Sequence, residues 1–313
     1  MNIAHHLFAF LAMASLAVAD EPSTTLRPPT QPANQAPPNV EVIHDVDIGT
    51  GGGRTLHAEI ARPKNPPATL MPAVIWIHGG GWAGGSYKSN DAFILATKGY
   101  FTASIEYRLS GEAKWPAQIE DCKLGVRWLR ANAVKYNVNP DRIGCWGSSA
   151  GGHLVACLGT MDDPKFEGTG GHPGVSSRVQ AVCDFSGPTD FSAGSAGIQR
   201  TTGKKDAPAL LGLFGAPFRE NPELWKDGSP VLYVKPGDPP FLIVHGDKDK
   251  TVPITQSENL LMALKKAEVS VEMLIVKGGG HGLNAAHGDP PVEPDRKAIN
   301  EAVAAFFDEH LKQ

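Results

Sequence analysis

The segment that most constrains the fold is a predicted strand that breaks at glycines around a serine and continues as a helix. It covers residues 141–152 and contains Gly147-x-Ser149-x-Gly151. Glycines at this spacing are typical of a nucleophile elbow, a tight and strained turn that holds a hydroxyl above the end of a sheet. Side chains at the glycine positions would collide with the neighbouring strand and helix. The backbone N–H of Ala150 would then point from the helix N-terminus toward a developing oxyanion.

Predicted strands and helices alternate on both sides of this turn. A hairpin near residues 42–48 and 56–61 comes first, and the continuous apolar run at residues 73–77 is typical of a strand buried on both faces. Such alternation indicates an α/β fold with a mostly parallel central sheet and helices on both faces. The other predicted strands are 101–106, 143–146, 179–185, 241–244 and 271–276, and the predicted helices are 91–98, 117–136, 150–158, 254–267 and 296–311.

One long interval, residues 190–240, interrupts this alternation. It contains no clear strand, only a stretch rich in glycine and serine, many turns, and short amphipathic pieces around residues 210–214 and 222–225. A long irregular segment inserted between two sheet strands lies over the strand ends, and such segments are commonly functional. We therefore predict a small cap that shapes a pocket above the sheet.

The first residues indicate an export signal followed by a linker. Residues 7–19 are small and apolar, too few for the roughly 20 that span a bilayer, and they end in Ala-Val-Ala before Asp20. We predict a signal peptide at residues 1–19, with a buried N-terminal helix as the alternative, and therefore a secreted or periplasmic protein. Six prolines among polar residues predict a linker at residues 20–39. The folded domain would span residues 40–313.

Composition excludes several classes of protein. A chain of 313 residues, 41% apolar and 20% charged, fits one large globular domain. The net charge of −4, without a block of basic residues, argues against nucleic-acid binding, and we predict no membrane anchor. We predict a monomer or homodimer. The cysteines lack metal-ligand spacing, so we expect no metal site. They fall in predicted helices and strands, so we expect buried free thiols with one disulfide at most. They are Cys122, Cys145, Cys157 and Cys183.

A nucleophilic serine needs a base and an acid that orients the base. Two aspartates follow the predicted strand 241–244, and we favour Asp249, at the outer bend of the loop, over Asp247 as a turn residue. His281 lies among glycines after the last predicted strand, where its imidazole can reach Ser149. The chain order of serine, aspartate and histidine is that of an α/β-hydrolase. Five other histidines are interpreted as ordinary surface or core residues, namely His57, His153, His172, His287 and His310.

A second glycine-rich turn supplies candidate oxyanion donors. Residues 78–82 read His-Gly-Gly-Gly-Trp and follow the buried strand directly. Only backbone N–H groups approach a tetrahedral oxygen without crowding it, and one such donor is worth roughly 10²- to 10³-fold in rate. We assign Gly80, Gly81 and Ala150 to the oxyanion hole.

Candidate substrate-binding residues follow from their position beside these turns. They are Trp82, next to the oxyanion glycines, and Ser148, next to the nucleophile. The cap aromatics Phe214 and Trp225 would also suit an aromatic acyl group, although simple packing explains each of them equally well.

Four motifs follow one another in a characteristic order along residues 40–312. They are His78-Gly79-Gly80-Gly81-Trp82, Gly147-Ser148-Ser149-Ala150-Gly151-Gly152, Asp249-x-x-Val252-Pro253 and Gly280-His281-Gly282. Together they resemble the α/β-hydrolase esterase and lipase superfamily, within it the bifunctional feruloyl and acetyl xylan esterases, with hormone-sensitive-lipase-like esterases as neighbours. Those neighbours usually carry aspartate where Ser148 stands, which favours the carbohydrate-esterase branch. The resemblance implies an α/β-hydrolase fold and ester hydrolysis through an acyl-enzyme, without metal or organic cofactor.

The function expected from this resemblance is that of a secreted serine carboxylic-ester hydrolase acting on acetyl or feruloyl esters of plant polysaccharide. A general short-chain carboxylesterase or lipase is the main alternative. A prolyl-oligopeptidase-like peptidase shares the order of catalytic residues, but such enzymes carry a large β-rich domain before the catalytic one. A non-catalytic binding protein is disfavoured because no member of the catalytic set is lost.

Overall fold

An eight-stranded sheet forms the centre of the computed structural model, which describes residues 37–194 and 206–312. The predicted signal peptide, and the predicted linker as far as residue 36, lie outside the described residues. The strand order is β1-β2-β4-β3-β5-β6-β7-β8, with β1, β2 and β4 paired antiparallel and the other neighbours parallel. The predicted α/β fold with a mostly parallel sheet is therefore confirmed. The strands are β1 Val40–Gly51, β2 Arg54–Pro63, β3 Met71–Ile77, β4 Phe101–Ile105, β5 Val138–Ser148, β6 Ala181–Phe185, β7 Phe241–Gly246 and β8 Val271–Val276.

Helices cover both faces of this sheet. The side chains of α2, α4 and α7 pack into one apolar cluster, and those of α1 and α8 pack into a second cluster on the opposite face. The central strand β5 is therefore buried from both sides, as the apolar composition of the parallel strands predicts. The helices are α1 Phe93–Ala96, α2 Ala117–Ala131, α3 Ala133–Tyr136, α4 Ala150–Thr160, α5 Pro208–Phe214, α6 Pro222–Asp227, α7 Thr255–Lys266 and α8 Arg296–Leu311, with short 3-10 helices at Pro164–Phe166 and Pro230–Tyr233.

Some predicted boundaries were wrong for local reasons. The helix predicted at 117–136 is divided at Asn132, whose side-chain amide donates to the Trp128 carbonyl at 2.8 Å and competes with helical hydrogen bonding. The helix predicted at 91–98 is one turn long. Strand β5 begins at Val138 rather than at residue 143, because the polar run through Pro140 hides the start of the strand from a hydrophobicity pattern.

The four cysteines are free thiols, each fully buried. Burial raises the pKa of every one of them, so each remains a neutral thiol at ordinary pH. The predicted buried thiols are confirmed, and the single disulfide left open above does not form in this structure. Within the part of the chain that is described, no helix is both long and apolar enough to cross a membrane.

The parallel strands β3, β5, β7 and β8 all end at one edge of the sheet. That edge is where ligands bind in open α/β sheets. The segments that follow these strands are those that contain His78, Ser149, Asp249 and His281. Helices α5 and α6 lie between β6 and β7 in the chain, in the interval predicted to form a cap.

Candidate active site

The turn that contains Ser149 has a strained backbone. Ser149 has φ 58° and ψ −120°, a region that a residue with a side chain rarely occupies. Its N–H donates to the Phe185 carbonyl on β6 at 2.7 Å. A Cβ at Gly147 would overlap the Gly151 carbonyl, and a Cβ at Gly151 would overlap the Ile77 carbonyl. The predicted collisions are present, so only glycine at both positions allows this turn.

Ser149, His281 and Asp249 form one hydrogen-bonded chain. The Ser149 hydroxyl donates to His281 Nε2 at 2.8 Å, and His281 Nδ1–H donates to Asp249 Oδ2 at 2.7 Å. His281 is about one quarter exposed, whereas the Asp249 side chain is fully buried. This arrangement gives the imidazole an acceptor nitrogen facing the hydroxyl and a donor facing the carboxylate.

Asp249 stays ionised because its surroundings supply hydrogen bonds. Burial alone would raise the pKa of this carboxyl, but hydrogen bonds from His245 and His281 hold the pKa well below its usual range. The other oxygen, Oδ1, accepts the backbone N–H groups of Thr251 at 2.8 Å and Val252 at 3.0 Å. The carboxylate is therefore charged and fixed in direction, as an orienting acid must be.

Asp247 has a different position. Its Oδ1 accepts the backbone N–H of Gly278 at 2.7 Å, which ties the loop after β7 to the loop that carries His281. Among the two aspartates considered from the sequence, the geometry therefore brings Asp249 to the imidazole and leaves Asp247 as a turn residue.

The sequence analysis did not identify His245, the histidine that supports the acid. It is fully buried at the end of β7, and its Nε2 lies 3.0 Å from the Val252 carbonyl and 3.3 Å from Asp249 Oδ2. The Ser257 hydroxyl lies 2.7 Å from His245 Nδ1. The signal in the sequence was that His245 lies two residues before Asp247. The apolar pattern around His245, however, predicts only the end of a strand.

The oxyanion turn has the backbone that glycine permits. Gly80 and Gly81 have φ angles of 111° and 59°, and Gly80 O accepts the N–H groups of residues 83 and 84, each at 3.1 Å. The Tyr107 hydroxyl donates to the His78 carbonyl at 3.1 Å, and its ring stacks on that of His78. Gly81, Ser149 and Ala150 line the same small cavity. Two of the three candidate donors thus border the same space as the candidate nucleophile, whereas Gly80 is not among the described residues that line it.

Trp82 is buried against His153, another residue that the sequence analysis interpreted as ordinary. Trp82 Nε1–H donates to His153 Nδ1 at 3.1 Å, and His153 Nε2–H donates to the Gly228 carbonyl at 2.8 Å. Burial lowers the pKa of His153 to about 4, although the hydrogen bond to Gly228 opposes this shift. His153 is one helical turn after Ser149, so it joins the nucleophile helix to the oxyanion turn and to the cap.

Two cavities of unequal size adjoin the candidate catalytic residues. The one beside Ser149 has a volume of about 30 Å³, and the apolar side chains of Trp82, Leu210 and Val252 contribute to its lining. The one beside His281 has a volume of about 430 Å³ and is lined in part by Lys248 and Lys250. Thr251 borders both of them. Thr251 therefore lies between a small apolar space beside the candidate nucleophile and a larger space beside the candidate base.

The other predicted binding residues lie outside these spaces. Ser148 is the last residue of β5 and is not among the described residues that line either cavity. Phe214 and Trp225 are buried, with their rings stacked 4.8 Å apart, so they form the core of the cap. A larger cavity of about 680 Å³ is lined by Lys123, Arg127 and Glu167, and no candidate catalytic residue borders it.

Across residues 37–194 and 206–312, no three histidine, cysteine, aspartate or glutamate side chains come close enough together to hold a metal ion.

The buried imidazole of His153 predicts an acid-dependent loss of stability. Its pKa is about 4 in the folded chain against an ordinary 6.5, so between these values only the unfolded chain holds the proton. The contribution of the neutral imidazole is complete above pH 6.5 and falls as the pH drops to 4, by about 3 kcal/mol. His153→Gln cannot titrate and should lack this component. Urea unfolding of both proteins at several pH values measures it, and parallel pH dependences would contradict a neutral buried His153.

Comparison with known proteins places these features in a family. The BD-FAE family model matches residues 58–264. The esterase LipC of Mycobacterium tuberculosis is 30% identical over 239 residues, covering 74% of this chain and 57% of LipC. The probable carboxylic ester hydrolase LipM of the same organism is 33% identical over 240 residues, covering 72% of this chain and 53% of LipM. The chain thus spans about half the length of these curated relatives.

Solved structures share the whole fold. A truncated carbohydrate esterase from gut microbiota is 31% identical, with a TM-score of 0.73, covering 87% of this chain and 97% of that one. A thermophilic esterase of Thermogutta terrifontis, solved with propionate bound, is 27% identical, with a TM-score of 0.69, covering 87% and 94%. The family match and these two structures agree with the α/β-hydrolase fold described above. The chain therefore belongs to the BD-FAE family of α/β-hydrolase esterases.

Proposed function

We propose that this chain is a serine carboxylic-ester hydrolase with Ser149 as nucleophile, His281 as general base and Asp249 as orienting acid. The observation that carries the proposal is the hydrogen-bonded chain from the Ser149 hydroxyl through His281 to Asp249, with distances of 2.8 Å and 2.7 Å. The strained turn at Ser149 presents that hydroxyl to the cavity that the oxyanion turn also borders.

The reaction follows from these positions. His281 Nε2 takes the proton of Ser149 as Oγ attacks the ester carbonyl, and the N–H groups of Gly80, Gly81 and Ala150 stabilise the oxyanion. Collapse of the tetrahedral intermediate breaks the bond to the alcohol, which leaves with the proton from Nε2. Water, deprotonated by His281, then attacks the acyl-enzyme and releases the carboxylic acid and the free serine.

The small cavity supports an acetyl substrate. The cavity beside Ser149 is far smaller than the cavity beside His281, at about 30 Å³ against about 430 Å³, which favours a short acetyl group over a bulky hydroxycinnamoyl group. The cap aromatics considered for a feruloyl ring, Phe214 and Trp225, are buried in the cap itself. We therefore place acetyl esters before feruloyl esters among the substrates expected from the sequence.

The larger cavity supports a sugar-sized alcohol. The leaving alcohol must receive its proton from His281, and the space beside His281 has about 430 Å³, within the range of ordinary ligand pockets. The gut-microbiota neighbour is a carbohydrate esterase. These points favour acetylated polysaccharide as the substrate over the small esters of a general short-chain carboxylesterase. The secreted or periplasmic location rests on residues 1–19, outside the described residues.

Acyl selectivity provides one test. Wild-type protein should hydrolyse p-nitrophenyl acetate with a kcat/KM at least about tenfold above that for the butyrate, since two extra methylenes do not fit. Leu210→Ala enlarges the cavity and should reverse much of that preference, whereas the exposed Leu232→Ala should not. Ser149→Ala serves as the blank.

The same assays extend to natural esters. Acetylated xylan should release acetate faster than methyl ferulate releases ferulate. Equal or faster cleavage of methyl ferulate would contradict the acetyl assignment, and activity on p-nitrophenyl esters alone would favour the general carboxylesterase.

The two aspartates provide a second test. Asp249→Asn should lower kcat by about 10⁴-fold, because an amide favours the wrong tautomer of the catalytic imidazole. Asp247→Asn, a matched change in the same loop, should stay within about tenfold of wild type because it weakens only a turn. Steady-state kinetics on p-nitrophenyl acetate measures both, and a larger loss in Asp247→Asn would reverse the assignment.

A further inference from the structure

We propose that His153 is a positioning residue that makes the geometry of the oxyanion hole depend on the seating of the cap. The inference rests on the proposed ester hydrolysis and adds a residue to it. His153 touches neither Ser149 Oγ nor any candidate donor, and it acts through the side chain of Trp82.

The tautomer of His153 is fixed by Trp82 and Gly228, while Cys157 Sγ, 3.4 Å from Nε2, is a weak acceptor for the same N–H. The Gly228 carbonyl can only accept a hydrogen bond, so His153 Nε2, at 2.8 Å, must carry the proton. Indole Nε1–H of Trp82 can only donate, so Nδ1, at 3.1 Å, must present its lone pair. Only the neutral Nε2–H form satisfies both contacts. Loss of the Gly228 carbonyl would free the imidazole to adopt the other tautomer, in which Nδ1–H opposes the indole N–H.

Trp82 determines the path of the oxyanion turn. It follows Gly81 directly and has a φ of 58°, and its carbonyl accepts the Ser110 N–H at 2.7 Å. Its ring is buried in edge contacts with His153 and Phe191. A reorientation of the indole would rotate this peptide unit and with it the N–H groups of the turn.

Gly228 belongs to the cap. It ends helix α6, and the next residue, Ser229, donates from its hydroxyl to the Trp225 carbonyl at 2.9 Å. The same hydroxyl accepts the Phe191 N–H at 2.9 Å. The carbonyl that fixes the His153 tautomer is therefore held by the cap and by the segment that follows β6.

Simple packing does not account for a histidine at this position. A fully buried imidazole loses its hydration, and an apolar residue would fill the space without that cost. The compensation is two directed hydrogen bonds, one to the oxyanion turn and one to the cap. Because both hydrogen bonds are directional, they link the cap to the oxyanion turn through one orientation of the imidazole.

Four variants test this chain. His153→Leu removes both bonds at similar volume, Trp82→Phe removes the indole donor, and His153→Gln retains a donor and an acceptor. The fourth variant combines His153→Leu with Trp82→Phe, and the exposed Leu232→Ala serves as the control. Each is compared with wild type for kcat and KM on p-nitrophenyl acetate, inhibition by a trifluoromethyl ketone, and thermal unfolding.

The expected result is a loss confined to the transition state. His153→Leu and Trp82→Phe should each lower kcat about 10- to 100-fold with KM within about threefold, and should weaken the trifluoromethyl ketone by the same factor. The double variant should lose little more than either single variant. His153→Gln should recover at least about a third of the wild-type kcat, and Leu232→Ala should stay within about twofold of wild type.

Several outcomes would overturn the proposal. They are a kcat of folded His153→Leu within threefold of wild type, a loss seen only in KM, additive losses in the double variant, or an equal loss in Leu232→Ala. If His153→Leu does not fold, Trp82→Phe and His153→Gln decide the question alone. Wild-type protein without esterase activity would instead refute the proposed function, so the two failures are distinguishable.

Discussion

The positive φ of Ser149 is the constraint on which the active site depends. Such a conformation costs roughly 1–3 kcal/mol and persists only where the surroundings determine it fully. Here the Phe185 carbonyl holds the Ser149 N–H, and the Ile77 carbonyl lies where a side chain at Gly151 would be. Three neighbouring strands therefore fix one hydroxyl, and the hydroxyl meets His281 without any movement of the backbone.

Two buried imidazoles, those of His245 and His153, position groups on either side of this turn. His245 lies against Asp249 and keeps the acid loop in place, and His153 lies between Trp82 and the cap. Each of them is fully buried and has hydrogen-bond partners on both ring nitrogens. The proposed base, His281, differs from both in being partly exposed, as proton exchange with substrate and water requires.

Local signals explain which features could be predicted from the sequence. Ser149, Asp249 and His281 each follow a strand, and each lies in a recognisable glycine-rich or loop pattern. Their proximity could be predicted because parallel strands end at the same edge of the sheet. His153 could not be found in this way, because its partners Trp82 and Gly228 lie 71 and 75 residues away. The size of the acyl cavity depends on how Leu210 of α5 packs, which no periodicity encodes. The division of the helix at Asn132 reflects a side-chain hydrogen bond rather than a change in hydrophobic pattern.

Covalent labelling with a fluorophosphonate tests the central claim most directly, because the reagent reacts with an activated serine and stays bound to it. The account predicts one phosphonyl group per chain, located by peptide mass spectrometry on Ser149 and absent in Ser149→Ala. His281→Ala should slow the labelling strongly. Label on the adjacent Ser148, or continued ester hydrolysis by an unlabelled protein, would contradict Ser149 as the nucleophile.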